Sequence, residues 1–150
     1  MKYFAKIKYL GAAFHGFQVQ PGLRTVQGEL NAALNQAFGL PCRVTGCSRT
    51  DAGVHANEFC ITVDCEGATV PPEKLPVAVA RFMPTDLSLY YAEEAAEDFH
   101  PRYDVVSKEY LYKIKNAQTA RISCNFICRQ DVVCARTIIA YSFGGIVTDK

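Results

Sequence analysis

No apolar run in this chain approaches the roughly 18 residues of a membrane-spanning helix, because charges or prolines interrupt each one. There is no apolar leader with a cleavage site either; Met1-Lys2 runs straight into a strand pattern. The chain is therefore expected in the cytoplasm. Charge of one sign is also lacking: 16 Lys+Arg against 15 Asp+Glu leave a net charge of +1, so bulk electrostatics point to no nucleic-acid partner. The seven cysteines (Cys42, Cys47, Cys60, Cys65, Cys124, Cys128, Cys134) form no CxxC pair. They are odd in number and come without a secretory signal, which predicts reduced thiols rather than a disulfide framework. Cys124, Cys128 and Cys134 have no neighbouring histidine to complete a zinc set, so no metal site is expected. Internal repeats and low-complexity tracts are absent as well.

What is present suits one domain with a single core: 150 residues, 49% hydrophobic and 11% aromatic. Much of the basic charge, including Lys2, Lys6, Lys8, Arg24, Arg43, Arg49, Arg81, Arg102 and Lys108, precedes residue 120. Acidic residues crowd into Glu93, Glu94, Glu97 and Asp98. A one-sided basic surface and ordinary solvated faces are both compatible with that distribution.

Tyr3, Ala5, Ile7 and Tyr9 alternate with Phe4, Lys6 and Lys8, the period of a half-buried strand. After a glycine-rich loop, Thr25 is placed to cap a helix carrying Val26, Leu30, Ala33, Leu34, Ala37 and Phe38 at helical spacing, and Gly39 to end it. Cys42 to Gly46 is a short extended segment, and Phe59, Ile61 and Val63 mark a further strand. Pro72 to Phe82 reads as a helix closed by Pro84, and Leu87, Leu89 and Tyr91 mark another strand. The stretch Ala92 to Asp98 reads as an acidic connector, and Ser107 to Lys115 as an extra strand. The order strand, helix, strand, strand, helix, strand predicts an α+β fold. A ferredoxin-like split βαβ arrangement fits it, with an antiparallel sheet covered on one face by two helices.

Between two of these strands lies Cys47 to Ala56, CSRTDAGVHA, which gathers a guanidinium, a carboxylate and an imidazole on one loop. One reading is a plain turn, in which Thr50 and Asp51 bond to nearby backbone and Gly53 supplies a positive φ. The other is a chemical site. An unperturbed Asp has a pKa of about 3.9, so Asp51 would be charged at neutral pH unless burial raised that value. Arg49 is its natural counter-charge; an exposed pair of this kind contributes only about 0 to 1 kcal/mol to stability. Tyr110 offers a stacking face and an acid-base handle, or else an ordinary core tyrosine.

Three segments in order resemble the TruA-type tRNA pseudouridine synthases. They are Tyr9, Gly11, Phe14, Gly16 and Gln18 leading through Gln20-Pro21 to Thr25-Val26-Gln27-Gly28-Glu29-Leu30, then the CSRTDAGVHA loop, then Tyr110 and Tyr112 in SKEYLYKIKN. The resemblance implies an RNA uridine isomerase that needs no cofactor, with Asp51 as catalytic carboxylate. It implies that Arg49 pairs with the carboxylate and holds the flipped-out nucleotide, and that Tyr110 packs against the target uracil. Phe14 and Gln18 would border the RNA path beside His15, while His55 would either contact RNA or brace the loop. His100 in Phe99-His100-Pro101 resembles a structural family motif. The implied substrate is the anticodon stem-loop of tRNA, gripped by a homodimer.

Leu10, Phe17, Val19 and Ala80 depart from the family pattern, where aspartate, tryptophan, arginine and asparagine are usual; the changes near the first loop are expected to weaken RNA contacts. Residues 1–117 carry the resemblance and are expected to form the ferredoxin-like catalytic half. Residues 118–150 diverge, and are expected to be a truncated or frameshifted tail in place of the family's second domain. Two rivals remain open: a non-catalytic RNA-binding fragment, and a small redox or metal-binding protein using the tail cysteines.

Overall fold

The computed structural model describes residues 1–112 and 137–142. Strand β1 (Lys2–Tyr9) lies between its two neighbours, β3 (His55–Cys65) and β4 (Leu87–Glu94), antiparallel to both. Strand β2 (Cys42–Gly46) pairs antiparallel with the C-terminal half of β3. The resulting order β4-β1-β3-β2, with helix α1 (Val26–Phe38) after β1 and helix α2 (Leu75–Ala80) after β3, is the expected ferredoxin-like arrangement.

Alternation in β1 sends Tyr3, Ala5, Ile7 and Tyr9 to the helix-covered face, where the register sets the first three against Val63, Ile61 and Phe59. Val26, Leu30 and Leu34 of α1 and Leu75 and Val79 of α2 complete this core. Thr25 caps α1 by accepting the Gly28 N–H at Oγ1 (3.3 Å), and Gly39 ends it at φ +64°. The opposite face is covered in part by Phe99, which packs edge-on against Phe4 with ring centroids 5.7 Å apart.

The second helix is shorter than its sequence pattern. Pro76 has no N–H to offer the Pro72 carbonyl, which instead accepts from Leu75, so Pro72–Lys74 forms a 3-10 turn and α2 spans only Leu75–Ala80. Leu87, Leu89 and Tyr91 all lie in β4, as expected, but the strand is irregular. Lys6 pairs with Tyr91 but Ile7 with Leu89, so Tyr90 is the extra residue of a bulge, and Tyr90 and Tyr91 are 40% and 42% exposed.

Beyond the four core strands, β5 (Ser107–Tyr112) pairs antiparallel with β6 (Thr137–Ser142), and β6 runs parallel to the N-terminal half of β3. The extra strand was expected to reach Lys115; residues 113–115 lie outside the described residues. So do Cys124, Cys128 and Cys134, on which the metal and redox readings of the tail rest.

The expectation of reduced thiols fails at one pair: Cys42 and Cys65 form a disulfide. The β2–β3 register sets them directly opposite, with Cα atoms 4.5 Å apart, the spacing of a non-hydrogen-bonded antiparallel pair. Cysteine parity carries no information about such a cross-strand neighbour. Cys47 and Cys60 lie outside this link, and both are buried. Among the described residues no helix is long and apolar enough to cross a membrane, and no group of three or more metal-ligating side chains occurs.

Candidate active site

The loop between β2 and β3 is held by its middle residue. Thr50 is 7% exposed, and its hydroxyl lies 2.9 Å from the buried Tyr9 hydroxyl at the end of β1. Its carbonyl accepts the Phe17 N–H at 3.0 Å. With Thr50 pinned inward, its neighbours Arg49 and Asp51 are both exposed. The anchored loop thus exposes a guanidinium and a carboxylate two positions apart in the chain.

The glycine-rich first loop supplies most of that anchorage. Gly53 donates to the Phe14 carbonyl (3.2 Å), and Gly11 donates to Nδ1 of His55 (3.2 Å). The Phe17 peptide works in both directions, since its N–H reaches Thr50 while its carbonyl accepts the Gln27 N–H (2.9 Å). Together with the Gly16 carbonyl, which accepts from Val26 (3.2 Å), it satisfies donors that the first turn of α1 would otherwise leave open. Two glycines are required for these close approaches. A Cβ on Gly11 would sit 1.8 Å from the Val54 carbonyl oxygen, and one on Gly16, at φ +89°, would sit 2.6 Å from that of Thr50.

Arg24 closes the far end of the first loop. Its Nη atoms form two 2.8 Å bonds to the Asp86 carboxylate, its Nε reaches Glu29 at 3.1 Å, and its guanidinium lies 4.2 Å from the centre of the Phe14 ring. Those bonds hold the Asp86 carboxyl below its ordinary value and raise the guanidinium further. Neither Arg24 nor Asp86 was singled out in sequence as a site residue. They lie 62 positions apart, and only the fold brings them together.

The six residues named from sequence take different places. Arg49 and Gln18 line one cavity of about 160 Å³, together with Arg43, Ser48 and Arg102. His55 lines a separate cavity of about 250 Å³ with Lys8, Leu10 and Asp86. Rather than lying in the loop, His55 opens β3, and its Nδ1 contact with Gly11 matches the bracing alternative. Phe14 is only 3% exposed, packed edge-on against Tyr9, so its ring supports the loop from beneath instead of facing a ligand. Tyr110 is 46% exposed on β5. Its partner on β6 is Ile139, which itself pairs with Ala56, so Tyr110 stands level with the first residues of β3, where the loop ends.

Among the described residues Arg49 and Asp51 form no ion pair with each other or with another side chain. The counter-charge expected of Arg49 is thus not engaged in this structure. The Tyr9 phenol is pushed well above its ordinary value by burial, which keeps it protonated and suits it to bracing rather than to proton transfer. Lys108, from β5, donates to the Cys47 carbonyl (3.3 Å) and ties that strand to the root of the loop.

The structure is thus a ferredoxin-like sheet whose β2–β3 loop exposes one carboxylate, Asp51, and one guanidinium, Arg49. The family model described as tRNA pseudouridine synthase matches residues 5–104. Curated relatives described as tRNA pseudouridine synthase A include that of Aquifex aeolicus, 42% identical over 116 residues, covering 77% of this chain and 48% of the relative. The protein of Bacillus pumilus is 39% identical over 153 residues, covering 96% of this chain and 61% of the relative. That of Solibacter usitatus is 44% identical over 108 residues, covering 72% and 45%. The chain belongs to the tRNA pseudouridine synthase family. It spans between 45% and 61% of the length of these three relatives.

Proposed function

We propose that this chain is the catalytic half of an RNA uridine isomerase that converts uridine to pseudouridine in tRNA, with Asp51 as the catalytic carboxylate. The observation that carries this reading is the anchoring of Thr50, which leaves the Asp51 carboxylate exposed on a braced loop. The reaction breaks the bond between uracil N1 and ribose C1′, turns the base while it remains bound, and rejoins it through C5, whose hydrogen leaves as a proton. Asp51 initiates it in one of two ways, by attack on the base or C1′, or by removal of the C2′ proton to give a glycal. Arg49 steadies the extruded nucleotide, and the Tyr110 phenol stacks on the uracil and handles a proton during rearrangement.

Extrusion of the base costs a few kcal/mol, offset by phosphate contacts and stacking. The substrate segment is the anticodon stem-loop, recognised by shape and backbone, and the working form is a cytoplasmic homodimer. Residues 1–117 form the catalytic unit in this reading, and residues 118–150 a divergent tail.

The test is tritium release from a tRNA transcript labelled at uridine C5, comparing this chain with Asp51→Asn. Release by the parent, lowered about 10³-fold or more in the variant, supports the assignment. That the chain spans only about half of its relatives favours a second reading, an RNA-binding fragment inactive by itself. Equal RNA affinity of parent and variant with no release from either would select that reading.

A further inference from the structure

Three arginines from three separate elements line the cavity of about 160 Å³ beside the loop: Arg43 on β2, Arg49 on the loop, and Arg102 in the turn after β4. The backbone around Arg102 is fixed, since its N–H bonds to Nδ1 of His100 (3.2 Å) while the Tyr103 and Asp104 N–H groups return to the His100 carbonyl. Among the described residues none of these three guanidiniums has a carboxylate partner, whereas Lys6 and Arg24 are both paired. Like charges gathered around one concavity repel each other, and a bound anion removes that repulsion. The polar remainder of the lining, which includes Gln18 and Ser48, suits an oxygen-rich ligand. The space equals the liquid volume of about five waters, enough for a tetrahedral oxyanion. Planar guanidiniums match such a group with paired N–H donors, as ammonium groups do not.

We propose that this cavity is a phosphate site, occupied in the working complex by a backbone phosphate of the RNA next to the uridine presented to Asp51. The identity of that phosphate rests on the function proposed above; the site itself rests on the three unpaired arginines. Arg43 and Arg102 hold the strand, and Arg49, two residues from Asp51, sets the distance between that phosphate and the carboxylate.

The parent protein is tested first by arginine modification with phenylglyoxal, mapped by mass spectrometry, with and without inorganic phosphate. Phosphate is expected to slow modification at Arg43, Arg49 and Arg102 and to leave the exposed Arg81, which rests on the Phe82 ring, unchanged. Equal rates at all four overturn the site. Affinity for an unmodified tRNA transcript is then measured against salt for the Arg43→Gln/Arg102→Gln variant, with its melting curve as the folding control. The slope of log affinity against log salt is expected to flatten by about 0.7 to 0.9 per lost phosphate contact, and Arg43→Lys/Arg102→Lys to keep most of the slope at lower affinity. A parent-like slope in the glutamine variant overturns the proposal, even if the parent releases tritium from labelled tRNA. Phosphate protection in a parent that binds no tRNA would uphold the anion site and sink the proposed function instead.

Discussion

The hydroxyls of Tyr9 and Thr50, 41 positions apart in sequence, meet at 2.9 Å in the core beneath the loop that carries Arg49 and Asp51. One closes the first strand and the other sits at the centre of the β2–β3 loop, so a single buried contact couples the sheet to that loop. Either hydroxyl left alone would be a buried polar group without its partner. Tyr9→Phe and Thr50→Val are each expected to cost about 1 to 3 kcal/mol, and the double variant distinctly less than their sum. Urea denaturation of the four proteins gives the coupling directly; strict additivity would show that the contact contributes nothing.

The close approach of the first loop leads to a ranking of glycine substitutions. Gly11→Ala is expected to be the most damaging, because the new methyl meets backbone, the Val54 carbonyl oxygen, at 1.8 Å. Gly16→Ala combines a 2.6 Å approach to the Thr50 carbonyl oxygen with φ +89°, and should cost about 2 to 4 kcal/mol. Gly22→Ala, with nothing within 4 Å and φ +72°, should cost about 1 kcal/mol. Denaturation midpoints in the reverse order would refute this account of the loop.

Acid should weaken the Arg24–Asp86 clasp. The folded-state carboxyl of Asp86 lies below its ordinary value of 3.8, chiefly through its hydrogen bonds with Arg24. The stabilisation is therefore complete above the unfolded value and is lost as pH falls through the lowered folded one. Asp86→Asn should be about 1 to 2 kcal/mol less stable than the parent at pH 7, with the gap narrowing below about pH 4. Thermal melts at pH 7, 5, 4 and 3 decide it, and a gap that stays constant across the series would exclude the linkage.

Exposed and braced residues should separate activity from stability. Asp51 and Tyr110 are both exposed, so Asp51→Asn and Tyr110→Phe are expected to melt within about 0.5 kcal/mol of the parent. On the proposed function both should nonetheless depress turnover of labelled tRNA, Asp51→Asn the more severely. A large drop in melting temperature for Asp51→Asn would mean that the carboxylate is a structural bond and the site assignment is mistaken.

Sequence carried the features whose causes are local. The β1 alternation, the Thr25 cap and the Gly39 stop each depend on a few consecutive residues, and each stands in the structure where its pattern puts it. Arg49, Asp51 and Tyr110 were legible as chemical groups, and their exposure suits external chemistry. What sequence missed depended on partners remote in the chain. The bulge at Tyr90 arises from pairing with β1, the Cys42–Cys65 link from β2–β3 register, and the bracing role of Phe14 from a core assembled around it. Arg24 looked like one more cation, because nothing within its own segment announces Asp86.

Strand β3 is longer than the partner that its own hairpin provides. Its residues 61–65 are matched by β2, while His55, Ala56 and Glu58 find their outer neighbour in β6, more than 70 positions further along the chain. A protein cut after residue 104 would therefore leave the backbone donors and acceptors beside His55 open to water, at the root of the loop that holds Asp51. Open strand edges recruit whatever extended peptide is at hand, including the same segment of another copy. The span matched by the family model is consequently a poor choice for an isolated domain, because the carboxylate would hang from a frayed margin.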